Sequence, residues 1–274
     1  MKLIGYLDQG VRHVGRVEED KVTPLGTVAD FYAGQRSGDA VGEVLDLREL
    51  EQVPFIPETA RVFCVGINYP SHGKEAKEVG NLDFPQVPMI FGRWESTLVT
   101  DGVPVPVPAN EGLDWEVELA VVIGETGWLV EEADALDHVL GYTAFNDLSA
   151  RHKQTDSIQF TLGKNADRSG PIGPVLVTAD EFGATSDVRL QTRVNGETMQ
   201  DGNSSEMFHS IPKIISYISD TVTLLPGDVI ATGTPSGVGH ALKPPRFLSP
   251  GDEVEVEVDG IGILRNPIVR HADL

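Results

Sequence analysis

Glu116 and Glu118 stand one residue apart in Leu113-Asp-Trp-Glu-Val-Glu-Leu-Ala-Val-Val-Ile-Gly124. In a strand, alternation sends Asp114, Glu116 and Glu118 to one face and Trp115, Val117 and Leu119 to the other. The apolar run Leu119 to Ile123 follows at once, which predicts that the acidic row points into a sheltered cleft. Clustered, partly dry carboxylates repel unless a cation neutralises them, so a divalent ion is the simplest explanation. From this segment alone a second reading stays open, because one-sided antiparallel strands carry polar residues outward and the acidic face is then simply wet. A third acid shifts the balance. Asp147 follows the run Val139 to Phe145, which reads as a second buried strand, and sits where that strand ends, a poor place for an unpaired carboxylate.

Three carboxylates without thiolate or clustered imidazole suit magnesium, manganese or calcium better than zinc. They leave roughly half of an octahedral shell open to substrate and water, an arrangement made for exchange and hence for catalysis. Asp114 shares the acidic face but is expected to cap or orient its neighbours rather than to ligate. His72 and Glu75 are spaced i and i+3, so a short helix after Tyr69-Pro70 brings both side chains to one face. A carboxylate beside imidazole fixes its tautomer and raises its basicity, as proton abstraction from water requires; a surface ion pair is the alternative. Lys164 is an exposed lysine or, within a cleft, a group that stabilises an enolate or carboxylate. Arg151 and Gln154 lie one helical turn apart and can bind a carboxylate or hold metal ligands in place.

The elements that position these residues are short. Lys2 to Tyr6 and His13 to Val17 read as strands flanking the turn Asp8-Gln-Gly10, followed by a helical stretch near Val28 to Ala33. Arg48 to Pro57, with mixed charge and two prolines, reads as a linker, which places a domain boundary near residue 58. Beyond it, Arg61 to Gly66 and Met89 to Gly92 read as strands, Ser71 to Val79 as a short exposed helix, and Gly80 to Pro88 as a loop. Val103 to Pro108 is an extended edge segment in which alternating prolines forbid central pairing. Helices are expected at Glu131 to His138 and Phe208 to Ile218. Asp187 to Val194 leads into Asn195-Gly196, a strong hairpin signal, and Glu253 to Val258 turns at Asp259-Gly260 into a final hairpin. Thr232-Gly-Thr-Pro-Ser-Gly-Val-Gly239 is glycine-rich but lacks the Lys-Ser/Thr ending of a nucleotide cradle; its amides and Thr234 can still grip a small carboxylate. The expected class is mixed and mainly β, with a small α+β amino-terminal domain, 1–58, and a larger catalytic domain, 59–274.

A formal net charge of −21 over 274 residues argues against nucleic-acid and anionic-membrane partners, which require basic patches. The single cysteine, Cys64, excludes an internal disulfide, and its neighbours Val62, Phe63 and Val65 make it a buried structural thiol. No apolar run approaches the roughly 18 residues a membrane span requires, and no leader opens the chain, so a cytoplasmic protein is expected.

In order, the segments Gly66-Ile-Asn-Tyr69 with His72 and Glu75, Asp114 to Gly124, Asn146-Asp-Leu-Ser-Ala-Arg151, Gly163-Lys164, Asn195-Gly-Glu197, Gln200-Asp-Gly-Asn203, Pro226-Gly-Asp-Val-Ile230 and Thr232 to Gly239 resemble the fumarylacetoacetate hydrolase family over residues 61 to 271. The resemblance implies a β-sandwich roll, usually dimeric. It implies Glu116, Glu118 and Asp147 as ligands of magnesium or manganese, with calcium as an alternative. His72 and Glu75 become the water-activating dyad of a mobile lid, and Lys164 and Thr234 contact the substrate, with Tyr69 near them. Two departures stand near the expected pocket: Arg93-Trp94 where many members carry Lys-Pro, and Ala166-Asp-Arg-Ser169 in place of an aromatic-containing turn. Arg93, Trp94 and Arg168 are accordingly expected to bind a second carboxylate of the substrate.

The leading expectation is hydrolysis of a carbon–carbon bond in an acylpyruvate such as fumarylpyruvate, releasing pyruvate through an enolate, in a homodimer whose partner molecule is a 2-oxo acid. The same enolate chemistry serves an oxaloacetate decarboxylase, an isomerase or a dehydratase of 2-oxo acids, and the shared fold does not choose among them. A rival of another class is a non-catalytic cation-binding structural protein.

Overall fold

The computed structural model describes residues 1–34, 40–80, 85–109 and 112–274. Most strands here are short, and several consecutive pairs are joined by tight turns. The first turn, Gln9 and Gly10, takes positive φ at both residues, so Lys2–Asp8 folds directly back on Val11–Glu18. Asn195 and Gly196 do the same between Arg189–Val194 and Glu197–Asn203.

Two sheets carry the architecture. The larger runs, from one edge, Leu45–Asp46, Lys21–Thr27, Val11–Glu18, Lys2–Asp8, Gly170–Thr178, Val139–Asn146, Val117–Ile123, Val229–Ala231, Val62–Gly66 and Met89–Arg93. The second runs Glu197–Asn203, Arg189–Val194, Glu253–Val258, Gly262–Arg270 and Val105–Val107. Val105–Val107, the proline-flanked segment, lies at an edge as expected. The architecture is mainly β, with helices that are few and short.

Val117–Ile123 is buried on both faces, and alternation divides its side chains between two cores. Leu119, Val121 and Ile123 pack with Leu190, Val256, Val258 and Leu264 of the second sheet and with the helix Ile211–Ser219. Ala120 and Val122 turn the other way, toward Cys64, Phe145, Ile172 and Ala231. Glu118 shares the phase of Ala120 and Val122, so it emerges where this second core ends. Cys64 is fully buried in it, as its apolar neighbours require.

Several expectations shift. The expected boundary near residue 58 falls between Gln52–Val53 and Val62–Gly66, and the amino-terminal strands continue the large sheet through pairing of Lys2–Asp8 with Gly170–Thr178. Arg48 to Pro57 is no free linker: Gln52–Val53 pairs with Lys2–Asp8, and Phe55 and Ile56 are buried in the core. Glu131 to His138 forms only a 3₁₀ turn, Ala135–His138, because Ala135 is its one buried apolar residue and a longer helix would have no apolar stripe to dock. Part of the expected loop Gly80 to Pro88 lies outside the described residues. Among the described residues, no helix is long and apolar enough to cross a membrane.

Candidate functional site

The register of two strands assembles the acids. Val117 pairs with Asn146 and Glu118 with Phe145, so Glu116 and Asp147 flank the same end of the ladder, where the Asp147 amide donates to the Glu116 carbonyl at 2.9 Å. The Asn146 side chain accepts from the Glu116 amide at 3.1 Å. On the other flank, Val229–Ala231 leads to Gly233, whose amide donates to Glu118 Oε2 at 2.7 Å. Gly233 has φ +99, and a Cβ there would lie 2.7 Å from the Asn68 Cβ, so only glycine brings its amide this close. Glu116, Glu118 and Asp147 each present a carboxylate oxygen within 4.8 Å of the others, and all three are buried.

Cations surround the triad. Lys164 Nζ donates to Glu116 Oε2 at 2.8 Å and to Asp147 Oδ2 at 2.6 Å. Arg151 Nη1 reaches Glu116 Oε1 at 2.6 Å, while its Nε donates to Asp114 Oδ2 at 2.7 Å. Arg93 donates through Nε and Nη2 to Asp147 Oδ1. Burial alone would raise the Glu116 carboxyl, but Lys164 and Arg151 outweigh it and hold it at about 2. Glu118 goes the opposite way: burial first, then the charges of Asp147 and Glu116, push it well above the usual carboxylate range. Burial works against the Lys164 ammonium, yet Asp147 and Glu116 keep its pKa above the ordinary value. Among the described residues the ion pairs reach Glu116 and Asp147, whereas the Glu118 carboxylate accepts from the Gly233 amide. An all-oxygen, buried donor set of three converging carboxylates fits a hard divalent ion.

The triad opens into a cleft of about 760 Å³. Its lining combines the apolar Val65, Ile90, Phe91 and Phe160 with the polar Arg151, Gln154, Thr234 and His240. The helix Pro70–Gly80 brings His72 and Glu75 to the same cleft, as the i, i+3 spacing predicts. His72 Nδ1 lies 3.2 Å from Glu75 Oε2, which leaves Nε2 as the working nitrogen, and Glu75 Oε1 accepts from the Gly237 amide at 2.9 Å. One carboxylate thus orients the imidazole and ties the helix to the glycine-rich loop.

The structure brings Glu116, Glu118, Asp147, Lys164, Arg151, Gln154, Thr234, His72 and Glu75 together. Asp114 orients rather than ligates: its carboxylate accepts from the amides of Trp115, Gly239 and His240 and from Arg151. Arg93 differs from its expected role as a substrate ligand. It is buried behind Asp147, also donating to Ser169 Oγ at 2.7 Å and the Leu148 carbonyl at 2.9 Å, and does not line the cleft. Trp94 lies half exposed in a separate groove with Arg61 and Phe63, and Arg168 donates to the Pro104 carbonyl. Tyr69 is wholly buried outside the cleft lining, its phenol pushed up by burial and by the charge of Glu118.

Gln200, which motif spacing does not mark as a site residue, positions the loop: its amide donates to Thr234 Oγ1 at 2.9 Å and the Pro235 carbonyl at 2.8 Å, and accepts from the Val117 amide and Thr192. The available signal was its inward phase after the Asn195-Gly196 turn.

Residues 61–269 match the family model described as fumarylacetoacetate (FAA) hydrolase C-terminal. The chain is 41% identical over 239 residues to the oxaloacetate tautomerase YisK of Bacillus subtilis (strain 168), covering 85% of this chain and 78% of that protein. Among solved structures, a 5-carboxymethyl-2-hydroxymuconate delta-isomerase from Mycobacterium smegmatis superposes with a TM-score of 0.82 at 33% identity, over 98% of this chain and 100% of the other. A maleylpyruvate hydrolase from Sphingobium sp. SYK-6, in complex with manganese(II) and pyruvate, superposes with a TM-score of 0.79 at 25% identity, over 98% of this chain and 99% of the other.

Proposed function

This chain belongs to the fumarylacetoacetate hydrolase family, and from that premise we propose that it is a divalent-metal-dependent enzyme interconverting the enol and keto forms of a 2-oxo dicarboxylate such as oxaloacetate. The observation that carries the reading is the convergence, in one cleft, of the carboxylate triad with Lys164 and of the His72–Glu75 pair. Similarity to an oxaloacetate tautomerase over most of both chains supports this reaction over its relatives.

Glu116, Glu118 and Asp147 would hold magnesium or manganese, which when bound supplies Lewis-acid polarisation of the 2-oxo group. The remaining work falls to the chain's own groups. Lys164, kept protonated by two carboxylates, faces the oxygen on which enolate charge develops. Arg151, Gln154 and Thr234 bind and orient carboxylate oxygens. His72 Nε2 exchanges a proton with the carbon beside the 2-oxo group, while Glu75 on Nδ1 fixes the tautomer and stabilises the imidazolium. The enol oxygen exchanges its own proton with water before binding or after release.

A second reading, hydrolysis of an acylpyruvate such as fumarylpyruvate, is favoured by the same dyad, because an imidazole backed by a carboxylate also activates water. Two assays divide the readings. Loss of the ultraviolet absorbance of enol-oxaloacetate reports tautomerisation, and coupled detection of pyruvate from an acylpyruvate panel reports hydrolysis. Metal-dependent acceleration of the first without pyruvate release from the second is expected. Pyruvate release with no effect on the enol would replace the tautomerase by the hydrolase, and activity in neither assay would remove both.

A further inference from the structure

With Arg93 behind Asp147, Trp94 in another groove and Arg168 on a backbone carbonyl, recognition of the far end of a dicarboxylate falls to other residues. We propose that His240, acting beside Arg151, is the specificity-determining residue for a carboxylate remote from the 2-oxo acid end of the substrate; the proposal rests on the 2-oxo acid chemistry argued above.

Asp114 sets the geometry. Its Oδ2 accepts from Arg151 Nε at 2.7 Å and from the His240 amide at 3.0 Å, so one oxygen fixes the guanidinium and the His240 backbone side by side. Both side chains line the cleft. The imidazole is braced by Phe247, stacked at 6.1 Å with an interplanar angle of 29°. Arg151 commits Nε to Asp114 and Nη1 to Glu116 and Gln154. Among the described residues its Nη2, on a side chain 6% exposed, has no acceptor, and His240 Nδ1 has no partner either. Buried donors left without acceptors are rare in folded proteins. A carboxylate satisfies both nitrogens at once: one oxygen takes the guanidinium, the other an imidazole N–H. Burial, with Arg151 adding to it, lowers the His240 pKa, so at neutral pH the ring contributes a neutral N–H donor. The apolar lining residues Val65, Ile90, Phe91 and Phe160 offer an anion no side-chain donor.

Lactate and malate test this, because both share a 2-hydroxy acid end and only malate adds a remote carboxylate. Calorimetry on the manganese-loaded full chain should show the wild-type protein preferring malate. His240→Phe, which keeps a ring against Phe247, should reduce the malate-to-lactate preference about tenfold, equivalent to about 1.4 kcal/mol, with lactate affinity held within about twofold. His240→Gln, which retains an N–H donor, should keep most of the preference. A preference unchanged in His240→Phe, or equal weakening of both acids, overturns the assignment. Binding of neither acid by the wild-type protein overturns the 2-oxo acid chemistry itself, and this selectivity with it.

Discussion

Replacing Arg93 by methionine tests whether the buried guanidinium is what holds the third carboxylate in place. Its Nε and Nη2 both donate to Asp147 Oδ1, its Nη1 to Ser169 Oγ, its Nη2 also to the Leu148 carbonyl, and its Cζ lies 5.7 Å from the Phe145 ring centroid. Methionine fills similar space but leaves Asp147 with Lys164 as its one remaining close cation among the described residues. Removing one partner of a buried ion pair costs about 3–5 kcal/mol, since the other charge stays behind unpaired. At about 2–4 °C per kcal/mol for a chain of this size, the metal-free Tm should fall by roughly 6–20 °C. Arg93→Lys keeps the charge but cannot reach Asp147, Ser169 and Leu148 together, so it should lose about 1–3 kcal/mol. Thermal melts followed by circular dichroism in chelator measure both. An Arg93→Met chain melting within about 2 °C of wild type would refute the reasoning, because a buried pair of this kind cannot be neutral when halved.

Three further outcomes are expected. His72→Ala should lower kcat for enol–keto exchange by about 10²–10⁴ with manganese affinity unchanged; full activity removes the dyad from the reaction. For pH, Glu118 is raised above its ordinary 4.5 in the fold, so the native state keeps a proton that the unfolded chain releases, and metal-free stability declines as pH rises through that raised pKa. Glu116, held at about 2, acts inversely, contributing stability above pH 4.5 that is lost as pH falls through about 2. Urea melts in chelator between about pH 5 and pH 9 should show the alkaline decline in wild type and not in Glu118→Gln; equal slopes contradict the assignment. Gln200→Leu should destabilise by about 1–3 kcal/mol, because Val117, Thr192 and Thr234 each lose a buried partner, and should raise KM through the displaced loop; unchanged melting and KM would show that Gln200 positions nothing.

The acids were legible because strand alternation is strict: Glu116 and Glu118 had to share a face, and Asp147 had to fall at the end of the adjoining strand. His72 and Glu75 were legible through helical spacing, though their distance along the chain from Gly237 hid the second bond that Glu75 makes. Arg93 shows where local reading stops. Its type and its departure from the usual Lys-Pro marked the position, but its partner lies 54 residues away, and nothing local separates an arginine facing substrate from one buried behind a ligand. His240 was hidden for the same reason, since only the fold sets it beside Arg151 through Asp114. Mixed charge and two prolines made Arg48 to Pro57 look like a linker, whereas the burial of Phe55 and Ile56 decided its fate. Elements with an apolar period survived folding, such as Glu253–Val258 and Ile211–Ser219, while Glu131 to His138, without one, shrank to a single turn.

Manganese titration of the chelator-treated chain addresses the central claim most directly, with calorimetry or paramagnetic resonance as the readout. One ion should bind per chain, and Glu116→Ala, Glu118→Ala and Asp147→Ala should each weaken it by at least about a hundredfold without unfolding the protein. Undiminished binding to a chain lacking all three carboxylates would contradict the account.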